Sequence, residues 1–129
     1  MSTSQSVTLI SREAGSAVTV YRLVAQAADG QCDHVADATV RPIGVSAETV
    51  ATVGQSLPVA IPTGAIVKME AGAAVAALAE LEAAGDGTGR AITHNSGVGD
   101  YKVGIALTAA GAAGDIIEVQ FLVDIDQVA

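Results

Sequence analysis

The residues able to do chemistry are few: two histidines, one cysteine and fourteen aspartates and glutamates. His34 closes the run Cys32-Asp33-His34, with Asp37 three positions on, a grouping that could begin a metal site. A zinc site asks for four ligands, usually paired from two separated segments. The second pair is missing, because His94 has only Asn95 and Ser96 beside it. The His34 segment therefore reads as a polar surface loop. Gly85-Asp86-Gly87-Thr88-Gly89-Arg90 has the glycine density of a phosphate cradle. A P-loop, however, ends in Gly-Lys-Ser/Thr and opens into a helix, whereas this run continues as the strand-like Arg90-Ala91-Ile92-Thr93. It reads as a turn. Asp115, Glu118, Asp124 and Asp126 lack the glycine-centred spacing of a calcium loop and read as the solvated side and trailing end of a last strand. An enzyme needs a nucleophile or base beside a partner that tunes it. No such pairing is visible, so the sequence predicts no enzyme: no catalytic residue, no metal ligand and no cofactor.

Lys68 is the one remaining candidate. Val67-Lys68-Met69 is similar to the Lys-Met of biotinyl-carrier domains, where Ala-Met precedes the lysine at a hairpin tip. Here Ile66-Val67 precede it inside an alternating stretch, which predicts a solvent-facing strand lysine. A small carrier or ligand-binding β domain stands as the alternative reading. Asn95-Ser96-Gly97 ends in glycine and is not a glycosylation acceptor.

Composition bounds the partners. The chain has 129 residues, half of them apolar but only 2% aromatic, so its core must be built from Val, Ile, Leu and Ala. One Phe, two Tyr and no Trp leave little for aromatic pocket walls or base-stacking platforms. A formal net charge of −8 argues against nucleic acid, whose phosphates need a basic surface, and against anionic membrane surfaces. No apolar run approaches the ~20 residues of a membrane span. A single cysteine excludes an internal disulfide. Met1-Ser2-Thr3-Ser4-Gln5-Ser6 has neither the basic region nor the apolar stretch of a signal peptide, so synthesis in a cytoplasm is expected.

The elements that must position these residues are short strands separated by turn residues, the rhythm of a sandwich or barrel. Ile117 to Ile125 alternates strictly, with Ile117, Val119, Phe121, Val123 and Ile125 on one face and Glu118, Gln120 and Asp124 on the other. That period of two is the signature of a half-buried strand. Val18 to Gln26, Leu57 to Ile61, Ala65 to Ala71 and Val103 to Leu107 read as further strands. Pro58 lacks a backbone donor, so its strand is expected at an edge or bulge. Ala73 to Ala84 is mostly Ala, Leu and Glu between Gly72 and Gly85. Propensity admits a short helix over residues 73–84, and tertiary pairing could override it.

The chain also repeats itself. Gly44-Val45, Gly54 and Val59 recur as Gly104-Ile105, Gly114 and Val119, each 60 residues on. An Asp-Gly turn stands upstream of each copy, at Asp29-Gly30 and Asp86-Gly87. The spacing predicts a pseudo-repeat covering about 28–61 and 85–121, inside one β-rich domain spanning 11–129, preceded by an N-terminal arm over 1–10.

Several stretches together resemble the capsid decoration, or cement, proteins of tailed bacteriophages. They are Ala14 to Val18, Tyr21 to Val24, Ala28 to Gln31, Arg41 to Ser46, Gly54 with Leu57 to Val59, Gly87 to Ile92, Val103 to Leu107, and Gly114 to Val119. The likeness is similar to that of the phage lambda decoration family and runs from about residue 8 to residue 124. It implies a small β-tulip or barrel-like domain that catalyses nothing. It further implies a homotrimer bound to the major capsid protein on the capsid exterior at local three-fold positions, stabilising the expanded head of the virion. An extended arm in such proteins pairs with capsid strands by strand addition. Val7, Thr8, Leu9, Ile10 and Arg12 are the residues expected to make that contact, with an ordinary first strand as the other reading. A tail-tube or head-completion subunit is the remaining alternative.

Overall fold

Among the described residues, ten strands are arranged as two five-stranded units in succession. β1 (Leu9–Ala14), β2 (Leu23–Gln26), β3 (Gln31–His34), β4 (Gly44–Ser46) and β5 (Ser56–Ala60) close into a barrel in the order β1-β3-β2-β4-β5. β6 (Ile66–Glu70), β7 (Glu80–Ala83), β8 (Ala91–Thr93), β9 (Tyr101–Ala106) and β10 (Ile116–Ile125) form a sheet in the order β6-β10-β9-β7-β8. A parallel bridge between Ala71 and Ala91 draws β6 back toward β8, where the first unit has the parallel pair β1–β3. The computed structural model describes residues 7–95 and 99–125. The chain is mainly β, as its turn-and-strand rhythm predicts, and the described residues contain no helix.

The clearest strand in the sequence is the longest in the structure. On β10, Ile117, Val119 and Phe121 are buried and Glu118, Gln120 and Asp124 are exposed, while β6 and β9 pair with it on its two sides. On β6 the same alternation buries Val67 and Met69 and leaves Lys68 exposed. Glycine is required where β9 meets β10. Gly104 has φ +135° and a Cβ there would run into the Gln120 carbonyl, so no other residue fits without moving the strand.

Three local expectations are corrected. The helix over 73–84 does not form: Glu80–Ala83 is the strand β7, paired with β8 and β9. Leu78 takes a left-handed φ of 68°, incompatible with a right-handed helix, and Val75 bridges Ala110. Tertiary pairing thus outweighs a helix propensity worth only tenths of a kcal/mol per residue. Val18 to Gln26 is not one strand either. Val18 forms an isolated bridge to Val50, Tyr21 turns the chain with φ 66°, and β2 starts at Leu23. Finally, Pro58 lies on a strand paired on both sides, with β1 and β4. Its carbonyl accepts the Ala47 N–H, and its missing donor falls on that same side, where the β4 ladder has ended at Ser46. The proline ends a ladder rather than marking an edge.

Two apolar clusters form the core, and one of them spans both units. Ala14, Val18, Val24, Cys32, Val50, Leu57 and Val59 fill the first barrel. The larger cluster holds Met69, Leu81, Val103, Ile117, Val119 and Phe121 of the second unit together with Leu23, Val35, Val45 and Ala60 of the first. Those four sit outside the first barrel's own filling, and the second unit covers them. At roughly 1.5–3 kcal/mol for each large apolar side chain buried, this shared cluster ties the units into one cooperative body.

Candidate functional site

The seam between the units carries a cluster of three charged side chains. Arg22, one residue before β2, reaches across to Glu70 at the end of β6, its Nη2 donating to Oε1 at 3.2 Å and Oε2 at 3.1 Å. Its Nη1 donates to the Thr88 carbonyl at 2.9 Å. Arg90 lies on the other side of the carboxylate, Nε to Oε2 2.6 Å. Arg22 and Glu70 side chains are only 12% and 13% exposed. One carboxylate thus bridges two guanidinium groups in a largely dry place, where removing the shared anion is costly. Backbone bonds run alongside: Glu70 N–H to the Tyr21 carbonyl, Leu23 N–H to Gly89, Gly87 N–H to Ala36 and Tyr101 N–H to Ala38. The glycine-rich run 85–90 is therefore a structural strap against β2.

The chemical candidates fall apart from one another. His34 is half-buried beside β2, and the Thr19 N–H donates to its Nε2 at 3.1 Å. In that bond Nε2 accepts through its lone pair, which fits a neutral ring carrying its proton on Nδ1. Burial pushes the His34 pKa below its ordinary value, and the Arg22 charge pushes the same way against the opposing Asp33. Cys32 is sealed inside the first barrel, and burial raises its thiol pKa. Asp37 and Asp86 are held below the usual carboxylate range by hydrogen bonds from the Thr39 and Thr88 hydroxyls and backbones. They cap turns. Lys68 sits in mid-strand opposite Glu118 on β10, away from any hairpin tip. Among the described residues no three His, Cys, Asp or Glu gather as a metal set would require, and no helix is long and apolar enough to cross a membrane.

Sequence reasoning missed two pairings, both between residues far apart in the chain. One is the Arg22–Glu70–Arg90 cluster. The other joins His94 to Glu82, Nδ1 to Oε1 2.8 Å, with the Asn95 N–H donating to the same oxygen at 2.9 Å. Glu82 is 7% exposed. Nothing in the local spacing signals either pairing; only the strand registers bring the partners together.

The residues expected to make the outer contact fall as follows. Leu9, Ile10 and Arg12 belong to β1, opposite Ala60, Val59 and Leu57 of β5. Ile10 packs on the first barrel's core, whereas Val7 and Leu9 are 37% and 53% exposed. The Thr8 carbonyl accepts the Ile61 N–H. β1 meets β3 only at Glu13 and Ala14, so among the described residues no strand lines that side of β1 from Leu9 to Arg12. Residues 1–6 of the expected arm lie outside the described residues. Val7 and Leu9 border an apolar groove of about 210 Å³ at the seam, with Tyr21, Val45, Ala60 and Ile66. Arg12 lines a broader polar depression of about 430 Å³ with Glu13, Asp29 and Gln31.

The geometry defines a β module of two like units whose distinctive residues lie at a seam and on open faces rather than in a cleft. No family model matches the chain, and no curated protein matches it. Among solved structures, it is similar to the head fiber gp8.5 N base of bacteriophage phi29. The TM-score is 0.70 over 96% of this chain and 99% of that one, at 20% identity. At that identity the likeness is one of fold.

Proposed function

We propose that this chain is a structural protein of a phage head, seated on the outer surface of the capsid and stabilising the expanded shell. The observation that carries the reading is the fold, shared over nearly the whole length of both chains with a phage head-fiber base. The resemblance of its turn-and-strand pattern to decoration proteins points the same way. Binding to the major capsid protein uses the open side of β1 and the exposed Val7, Thr8 and Leu9, with Arg12 beside them, by adding a strand to a capsid edge. Assembly as a homotrimer at local three-fold positions multiplies three weak contacts into one firm attachment. No step of this role needs a reactive group, a cofactor or nucleic acid. A projecting fiber mounted on such a base is the second reading, favoured by the name of the similar structure.

The test is co-sedimentation of the purified chain with emptied heads of its own phage, with light scattering to give the mass in solution. Saturable binding to expanded heads and a mass three times the chain's are expected. A chain left in the supernatant at saturating dose overturns the role. Electron microscopy of decorated heads separates a flat cap from a fiber base.

A further inference from the structure

β6 begins to pair across the seam and then stops. The Phe121 N–H donates to the Ala65 carbonyl, and in an antiparallel ladder this turns the backbone groups of Ala65, Val67 and Met69 toward β10. Those of Ile66, Lys68 and Glu70 therefore face the other way. Glu70 uses that side, its N–H donating to the Tyr21 carbonyl at 2.9 Å. At Ile66 and Lys68 no strand lines that side of β6 among the described residues. Two rungs of a ladder are left open beside a closed one, and an open row of backbone donors and acceptors is a template for an added strand.

The open rungs stand beside apolar surface. Ile66 and Lys68 border the groove of about 210 Å³ at the seam, with Leu9, Tyr21, Val45 and Ala60. Val45 pairs with Ala60 and Ala60 with Leu9, so these three side chains form one row across β4, β5 and β1. The second unit covers one end of that row: Val45 and Ala60 belong to the shared cluster, 2% and 5% exposed. Leu9, at the other end, is 53% exposed. The groove is thus the unfinished end of the internal interface, continuous with its core.

These features define the occupant. Open rungs call for an extended backbone. On a strand laid beside β6, residues level with Val67 turn toward the apolar row, and residues level with Lys68 turn outward. Lys68 is the one charged residue lining the groove, and although Glu118 lies opposite it on β10, it forms no ion pair with any described residue. We infer that the Ile66–Lys68 edge accepts an extended segment of a partner protein, with apolar residues facing Leu9 and a carboxylate between them beside Lys68. This goes beyond the proposed role, in which β1 is the strand given to the capsid; here β6 is the strand that receives. Neither contact depends on the other, so peptide binding and head sedimentation fail separately.

The test titrates the full chain, labelled with nitrogen-15, with the synthetic peptide acetyl-Thr-Val-Glu-Val-Thr-Val-amide. Saturable shifts centred on the Ile66 and Lys68 amides are expected in nuclear magnetic resonance spectra, with slower hydrogen exchange at both. Two peptides N-methylated at odd and at even positions should differ in affinity by at least about tenfold, because only one set of amides faces β6. Lys68→Glu, an exposed change, should weaken binding about fivefold, and a lysine in place of the peptide's glutamate should restore it. No shift at Ile66 and Lys68 at the peptide's solubility limit overturns the inference, as does equal affinity of the two methylated peptides. Equal binding of a scrambled peptide also overturns it and marks a merely sticky surface. Shifts at the same amides that grow with protein concentration alone would give the groove to a second copy and overturn the choice of partner.

Discussion

The first barrel and the second unit share a connectivity but are stabilised differently. The first encloses a small cluster of its own, completed by Cys32 and Val24. The second holds Phe121 and Met69 and shares its core with four residues of its neighbour. The first unit thus contributes apolar side chains to both clusters, and the second depends on that contribution to finish its filling. A fold repeated twice in one chain need not be stabilised twice in the same way. One copy is able to serve as the other's lid.

The largest expected effect breaks the shared cluster. Phe121→Ala removes the chain's one phenylalanine, fully buried, and should cost about 3–5 kcal/mol. Both units are expected to melt together in one denaturant transition. Leu57→Ala, in the first barrel's private cluster, should cost about 2–5 kcal/mol and also give a single transition. A second unit that stays folded after the first has melted, seen as two steps by nuclear magnetic resonance, breaks the picture of a single cooperative body.

Next comes the charge at the seam. Glu70→Gln leaves Arg22 and Arg90 facing each other without a carboxylate and should cost about 3 kcal/mol. Because the group is largely dry, the loss should change little between low and high salt. A cost that vanishes in high salt would mean the cluster behaves as a surface pair.

The two equivalent glycines sharpen the comparison further. At Gly44 an added methyl meets the Ala60 carbonyl and Val59 side chain, and at Gly104 it meets the Gln120 carbonyl with the backbone at φ +135° besides. Both alanine variants should be destabilised, Gly104→Ala by roughly 1–3 kcal/mol more, the cost of a strained backbone. Equal losses in thermal melts would show that crowding alone matters at both places.

The smallest effect is a pH dependence set by one residue of the first unit. His34 has a folded-state pKa below its unfolded value, so the unfolded chain binds the proton first as pH falls. Its contribution is fully present above about pH 6.5, the ordinary histidine value, and is lost as pH falls through the lower folded value. His34→Gln keeps an acceptor for the Thr19 N–H and should flatten the melting temperature between pH 7 and pH 5. An unchanged slope would assign the dependence to another group.

Much of the architecture was legible in the sequence, and the rest was hidden for identifiable reasons. Strict alternation announced β10 and β6 because each buries one face and exposes the other. The segment 73–84 misled because alanine, leucine and glutamate favour helices locally, whereas β7 is fixed by partners at Thr93 and Ile105 that no local window contains. The matching stretch of the first unit, Ser16 to Ala27, has three Val with Thr19 and Tyr21 between them and reads as strand. Aligning the two would have exposed the error, but the offset is 57 there, 59 just past the turn after Gly87 (Cys32 and Ala91) and 60 from Gly44 and Gly104 onward, so the copies slip out of phase in two steps. The seam stayed invisible because Arg22, Glu70 and Arg90 are ordinary charged residues until the strand registers converge them.

The sealed position of Cys32 has one more consequence. On the proposed role the chain would stand in a crowded lattice on a particle released into oxidising surroundings, where an accessible thiolate would cross-link neighbours at random. A thiol enclosed by barrel walls and biased toward its protonated form is a poor nucleophile. The chain's only sulfhydryl therefore adds apolar filling without adding a chemical liability.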